Sequence, residues 1–200
     1  MQIYLLDYNE EMVRAWQKYF SDVENVHIVH SDFKTFMDEN YDKINIVVSP
    51  ANSFGLMNGG YDRAITEYFG NDLQKEVQNK ILNVWYGEQP VGTSMWTVIP
   101  NQYPVKFLIH TPSMRTPEVI KDARVIYQCM RTTLIEANKL YEDICSDISM
   151  VIPAFGGLTG RVDCETVAYM MRQAYRQIAN PPKNINWGYA THIEKSLKLM

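Results

Sequence analysis

The sequence predicts an α/β protein, and two observations carry that prediction. Short apolar runs rich in β-branched residues alternate with longer segments whose apolar positions recur every three or four residues. Two of the runs end in glycine-rich loops, Ser49 to Gly60 and Pro153 to Gly160, and each loop is followed by a helical pattern. With 200 residues, 46% of them hydrophobic, the chain can fill one sizeable core. No linker divides it, so residues 1–200 are expected to form a single domain.

The elements follow in order. Gln2 to Leu6 reads as a strand closed by Asp7. Asn9 then suits the N-cap of a helix carrying Met12, Val13, Trp16, Tyr19 and Phe20. Val26 to His30 alternates as a second strand and leads into Ser31, Asp32 and Phe33, where Asp32 is positioned either to cap a short helix or to meet a ligand. No G-x-G-x-x-G follows the first strand, which sets aside a standard dinucleotide fold. Ile44 to Ser49 is a buried strand that breaks at Pro50. Beyond the first loop, Ala64, Ile65, Tyr68 and Phe69 mark a helix ending at Gly70, and Asn71 opens another through Leu73, Val77, Ile81 and Val84. Thr93 to Ile99 and Val105 to Ile109 read as a strand pair. Thr116 and Pro117 have the chemistry of an N-cap and first helical position, and predict that the longest helix starts there, its stripe running Val119, Ala123, Ile126, Met130, Leu134, Ala137, Tyr141. Ile148 to Ile152 is a further strand, followed after its loop by a helix on Val167, Met170, Met171, Ala174 and Ile178. The tail carries a last helix toward Met200.

Composition narrows the function. A formal net charge of −4 argues against general nucleic-acid or membrane-surface binding. No window reaches transmembrane length, and Met1 to Asp7 lacks the start of a signal peptide. Cys129, Cys145 and Cys164 are odd in number and far apart, which fits reduced thiols and predicts a cytoplasmic location. Neither they nor the four histidines show ligand spacing, so no metal and no cofactor are expected.

The two loops point to a phosphate-bearing ligand. Backbone N–H groups of Gly59, Gly60 and Tyr61 stand at a helix start, where the dipole and free amides attract anions. If the two preceding strands are neighbours, both loops share one rim and a diphosphate fits between them. Neither loop contains lysine, which argues against a P-loop. Asn52 folds its own loop through an Asx turn or meets the ligand. Asp62 sits in a first helical turn, where any acid gains from the dipole and stays ionised.

These residues resemble the macrodomain family. Val48-Ser49-Pro50-Ala51-Asn52-Ser53 with Asn58-Gly59-Gly60-Tyr61-Asp62 is similar to its strand ending in Asn-Ala-Ala-Asn-Ser and the glycine-rich turn that follows. Leu108-Ile109-His110-Thr111 resembles the family's Ile-His-Thr strand end. Pro112-Ser113-Met114-Arg115-Thr116-Pro117 is closest to a phage and bacterial branch. Asn58 stands where the family has the first of three glycines, and Leu158 where it has glycine. The resemblance implies a three-layer α/β/α sandwich with a mixed central sheet and a pocket for ADP-ribose. It implies that Asp32 accepts from the adenine amino group beside the Phe33 amide, and that Asn52 holds the distal ribose. Gly59, Gly60 and Tyr61 would grip one side of the diphosphate, and Gly156, Gly157, Leu158 and Thr159 the other. Asp62 would orient a water at the anomeric carbon. The activity implied is hydrolysis at the distal ribose, as an ADP-ribose 1''-phosphate phosphatase or a mono-ADP-ribosyl hydrolase, with an ADP-ribosylated protein as a further partner. Its alternatives are a non-catalytic ADP-ribose reader and an unrelated nucleotide enzyme such as a methyltransferase.

Overall fold

The computed structural model describes residues 1–102, 106–144 and 148–198; Cys145 and the start of the fifth predicted strand at Val105 lie outside them. Six strands, β1 (Gln2–Asp7), β2 (Val26–His30), β3 (Ile46–Ser49), β4 (Met95–Val98), β5 (Phe107–His110) and β6 (Ser149–Pro153), form one sheet in the order β2-β1-β6-β3-β5-β4. Every neighbouring pair is parallel except β4 with β5, so the sheet is mixed and β4 is its antiparallel edge.

Alternation along the strands assigns each side chain to a face. Leu5, Ile46, Val48, Ile109, Met150 and Ile152 join one buried cluster, while Leu6, Val47, Leu108 and Val151 join the other. The first cluster is closed by α1 (Glu10–Phe20), α5 (Arg124–Ile144) and α6 (Cys164–Ala179), and the second by α2 (Phe33–Asn40), α3 (Gly60–Phe69) and α4 (Asp72–Trp85). Helices on both faces of a sheet make the three-layer α/β/α sandwich. Trp16 of α1 and Met37 of α2 are fully buried, one on each side; side chains of this size contribute roughly 1.5–3 kcal/mol each on leaving water. A last helix, α7 (Trp187–Ser196), is tied to α6 by Tyr169, whose hydroxyl donates to Ser196 O. Among the described residues no helix is long and apolar enough to cross a membrane.

Two elements differ from expectation. The longest helix begins at Arg124, not at Thr116. Residues 116–123 instead form a strap over the second glycine loop: Ile120 N donates to Gly160 O at 2.9 Å, and Asp122 takes the first amide of the helix, from Arg124. A long-range bond has outcompeted the local capping signal. The other surprise is Lys106, fully buried at the start of β5. Its ammonium donates to Tyr41 O and Ile44 O at 2.6 Å and lies 4.0 Å from the Tyr41 ring centre, while burial lowers its pKa. It ties the start of β5 to the turn after α2.

Candidate functional site

Because β1, β2, β3, β5 and β6 are all parallel, their carboxyl ends lie along one edge of the sheet, where open α/β sheets bind ligands. β3 and β6 are direct neighbours, with Ile46 opposite Met150 and Val47 opposite Val151. The condition set by the sequence is met: both glycine loops stand on the same rim, leaving strands about 4.8 Å apart.

The first loop opens α3. Gly59 is its N-cap, and the first donor inside the helix is Arg63, to Gly59 O. Among the described residues the amides of Gly59, Gly60 and Tyr61 have no acceptor. Gly60 adopts φ +55, and a Cβ there would meet nothing within 4 Å. The glycine is therefore required by backbone conformation, and the space above it is open. In the second loop Gly156 has φ +71 and packs against Ile120, whose Cδ1 would lie 2.5 Å from an added Cβ. The amides of Gly157, Leu158 and Thr159 likewise have no acceptor among the described residues. Leu158 is 66% exposed, so its side chain leaves the backbone approachable despite its Cβ.

Asp32 lies at the end of β2 and caps α2. Its Oδ1 accepts from Thr35 N at 3.0 Å and its Oδ2 from Thr35 Oγ1 at 2.7 Å, bonds that hold the carboxyl below its ordinary value. Phe33 is buried edge-on to Tyr61 at 5.2 Å, which joins the β2 end to the start of α3. Asn52 does form the Asx-type loop: Oδ1 accepts from Phe54 N and Leu56 N, and Nδ2 donates to Leu56 O at 2.7 Å. One Nδ2 hydrogen remains for a ligand.

Asp62 corrects an expectation. The helix dipole was expected to keep it ionised, yet it is 7% exposed and burial raises its pKa from 3.8 to about 7. Desolvation outweighs the dipole and the one hydrogen bond, from Ser49 Oγ at 2.6 Å, that favours the charge. Ser49 is thus part of the site and was missed. The signal was its place as last residue of the strand before the loop. Tyr61 has a buried hydroxyl with no partner among the described residues. Burial and the nearby Asp7 and Asp62 carboxylates raise its pKa well above 10.

Four other candidates have these surroundings. His110 donates from Nδ1 to Gln89 Oε1 at 2.7 Å, a tautomer fixed because Gln89 Nε2 faces the Thr93 and His110 carbonyls. Burial lowers its pKa to about 3, so the ring is neutral. Arg115 is committed to a two-pronged pair with Glu88 at 2.7 and 3.0 Å. Trp187 is 87% exposed on α7, and Tyr189 accepts from Gln177 of α6.

Fold and rim together define an α/β/α protein with two glycine loops whose amides are unpaired among the described residues. The Macro domain family model matches residues 48–171, and the chain belongs to the macrodomain family. An uncharacterized protein of Aquifex aeolicus is 29% identical over 133 residues, 66% of this chain and 73% of its own. The Oceanobacillus iheyensis macrodomain with ADP superposes with a TM-score of 0.54 at 25% identity, covering 67% of this chain and 68% of that one. A mutant of that macrodomain with ADPR gives 0.55 at 22% identity, covering 78% and 85%.

Proposed function

We propose that this protein binds ADP-ribose, or a close derivative, along the rim, with the diphosphate between the two loops. The observation that carries the reading is the pair of amide sets, Gly59 to Tyr61 and Gly157 to Thr159, all without acceptors among the described residues and in loops that follow adjacent parallel strands. A carboxylate has about four lone-pair sites. With two taken by Thr35, Asp32 keeps capacity for the adenine amino group beside the Phe33 amide. Asn52 offers its remaining N–H to the distal ribose. The ADP and ADPR held by the Oceanobacillus macrodomain support the same ligand class here.

The chemistry we assign to this site is hydrolysis at the distal ribose, of an ADP-ribose 1''-phosphate or an ADP-ribosyl ester on a protein. Asp62 would accept a hydrogen bond from the attacking water and take its proton, the second role being open only to its ionised form. With a pKa of about 7, the rate should rise as pH passes through neutrality. One observation favours a reader instead: the Asp62 carboxyl is buried and turned to Ser49. Calorimetric titration with ADP-ribose tests binding. Single-turnover release of phosphate from ADP-ribose 1''-phosphate, beside release of ADP-ribose from a modified acidic peptide, tests catalysis. Tight binding with neither product formed makes the protein a reader.

A further inference from the structure

Between the loop at Val91 to Thr93 and helices α5 and α6 lies an open, solvent-facing cavity of about 490 Å³, lined by Val91, Gly92, Tyr127, Gln128, Arg131 and Gln177 among others. The volume suits a small molecule. Gly92 takes φ +80, donates to Pro112 O, and accepts from Thr132 Oγ1; an added Cβ would lie 2.8 Å from Gln128 Oε1.

A chain of hydrogen bonds positions Arg131, the one charge lining the cavity among the described residues. Gln177 Oε1 accepts from the Tyr127 hydroxyl and, at 2.8 Å, from Arg131 Nε, while Gln177 Nε2 donates to the Tyr189 hydroxyl at 2.6 Å. Both ends of the Gln177 amide are committed, so the guanidinium is held at Nε. Among the described residues Arg131 forms no ion pair, and its guanidinium is bonded to Gln177 at Nε and lies beside the Tyr127 hydroxyl. Among the described residues no acid lines the cavity. Val91 and the Tyr127 ring supply apolar surface beside that cation.

We propose that this cavity is a second binding site, for a small carboxylate carrying an apolar or aromatic body. The parallel N–H groups at the end of a guanidinium match two carboxylate oxygens. A phosphate dianion would bring a second negative charge to a cavity with one cation.

The test uses the full chain, labelled with ¹⁵N, titrated with benzoate, benzamide or inorganic phosphate. The reporters are the Arg131 Nε–Hε resonance and the Gly92 and Thr93 amides. Benzoate should give saturable shifts with a dissociation constant on the order of millimolar. Benzamide and phosphate should bind at least about tenfold more weakly, and Arg131→Met should abolish the benzoate shifts. Saturating ADP-ribose should leave the benzoate titration unchanged, because none of the residues assigned to ADP-ribose lines this cavity; this holds whether or not the rim binds ADP-ribose. No saturable benzoate shift, equal binding of benzamide or phosphate, displacement by ADP-ribose, or binding retained in folded Arg131→Met would each overturn the proposal.

Discussion

A side chain that caps a helix can also read a base, and Asp32 permits the two roles to be separated. Its Oδ1 serves Thr35 N, a contact an asparagine oxygen reproduces. In Asp32→Asn the other atom becomes an NH₂ donor, which opposes the adenine amino group instead of accepting from it. We expect Asp32→Asn to keep the thermal stability of the wild type but to lose ADP-ribose affinity by about tenfold or more. Asp32→Ala should lose the same affinity and about 1 kcal/mol of stability with the cap. Equal calorimetric affinity in all three proteins would remove Asp32 from the site. At this scale the sequence was informative about residue type and silent about environment. Asp62 was legible as a rim acid, but its burial against Ser49, thirteen positions earlier, depends on how the strand end packs under the helix start.

Among the elements, the two glycine loops look alike in sequence and differ in what the glycines do. Gly60 is open above, so Gly60→Val adds a side chain into free space at the cost of left-handed strain, about 1–3 kcal/mol. The fold should persist with a lowered melting temperature, and ADP-ribose binding should be lost because the branched side chain stands over the amides. Normal binding by folded Gly60→Val would defeat the amide cradle. Gly160 is the contrast: a Cβ there would sit 2.5 Å from Gly156 O and 2.6 Å from Ile120 Cδ1. Gly160→Ala should therefore lower the melting temperature more than Gly59→Ala, whose Cβ meets nothing within 4 Å. The same contact explains why the start of the longest helix was not legible. Thr116 and Pro117 carry a sound local signal, but the Ile120 amide is claimed by Gly160, forty residues away, and only folding brings the two together. Strands and helices with strong periodicity, such as β3 and α1, were legible because each periodicity reports its own burial.

In the whole molecule, the strand order β2-β1-β6-β3-β5-β4 could not be read from local patterns, since β6 inserts between β1 and β3 from far along the chain. The resemblance to macrodomains supplied the layers, and the mixed sheet was found as implied. That packing places two buried titratable groups on one rim with opposite shifts, and their sum is a global property. Asp62 is raised from 3.8 to about 7, so between those values the folded state binds more protons than the unfolded, and stability falls as pH rises. His110 is lowered from 6.5 to about 3, so over that window the unfolded state binds more protons, and stability rises with pH. Each slope is about 1.4 kcal/mol per pH unit, and between roughly pH 4 and 6.5 they cancel. Asp62→Asn keeps a side-chain oxygen for the Ser49 hydroxyl and removes one of the two slopes. We expect urea unfolding of the wild type and the variant to diverge with pH. Between pH 4 and pH 8 the stability difference should move in favour of Asp62→Asn by roughly 4 kcal/mol, since only the wild type must bury a carboxylate charge above neutrality. Exposed carboxylates are common to both proteins and drop out of that difference. A gap that stays constant with pH would mean that Asp62 titrates as an ordinary carboxyl. The buried environment at the start of α3, and the rate profile expected from it, would then both be wrong.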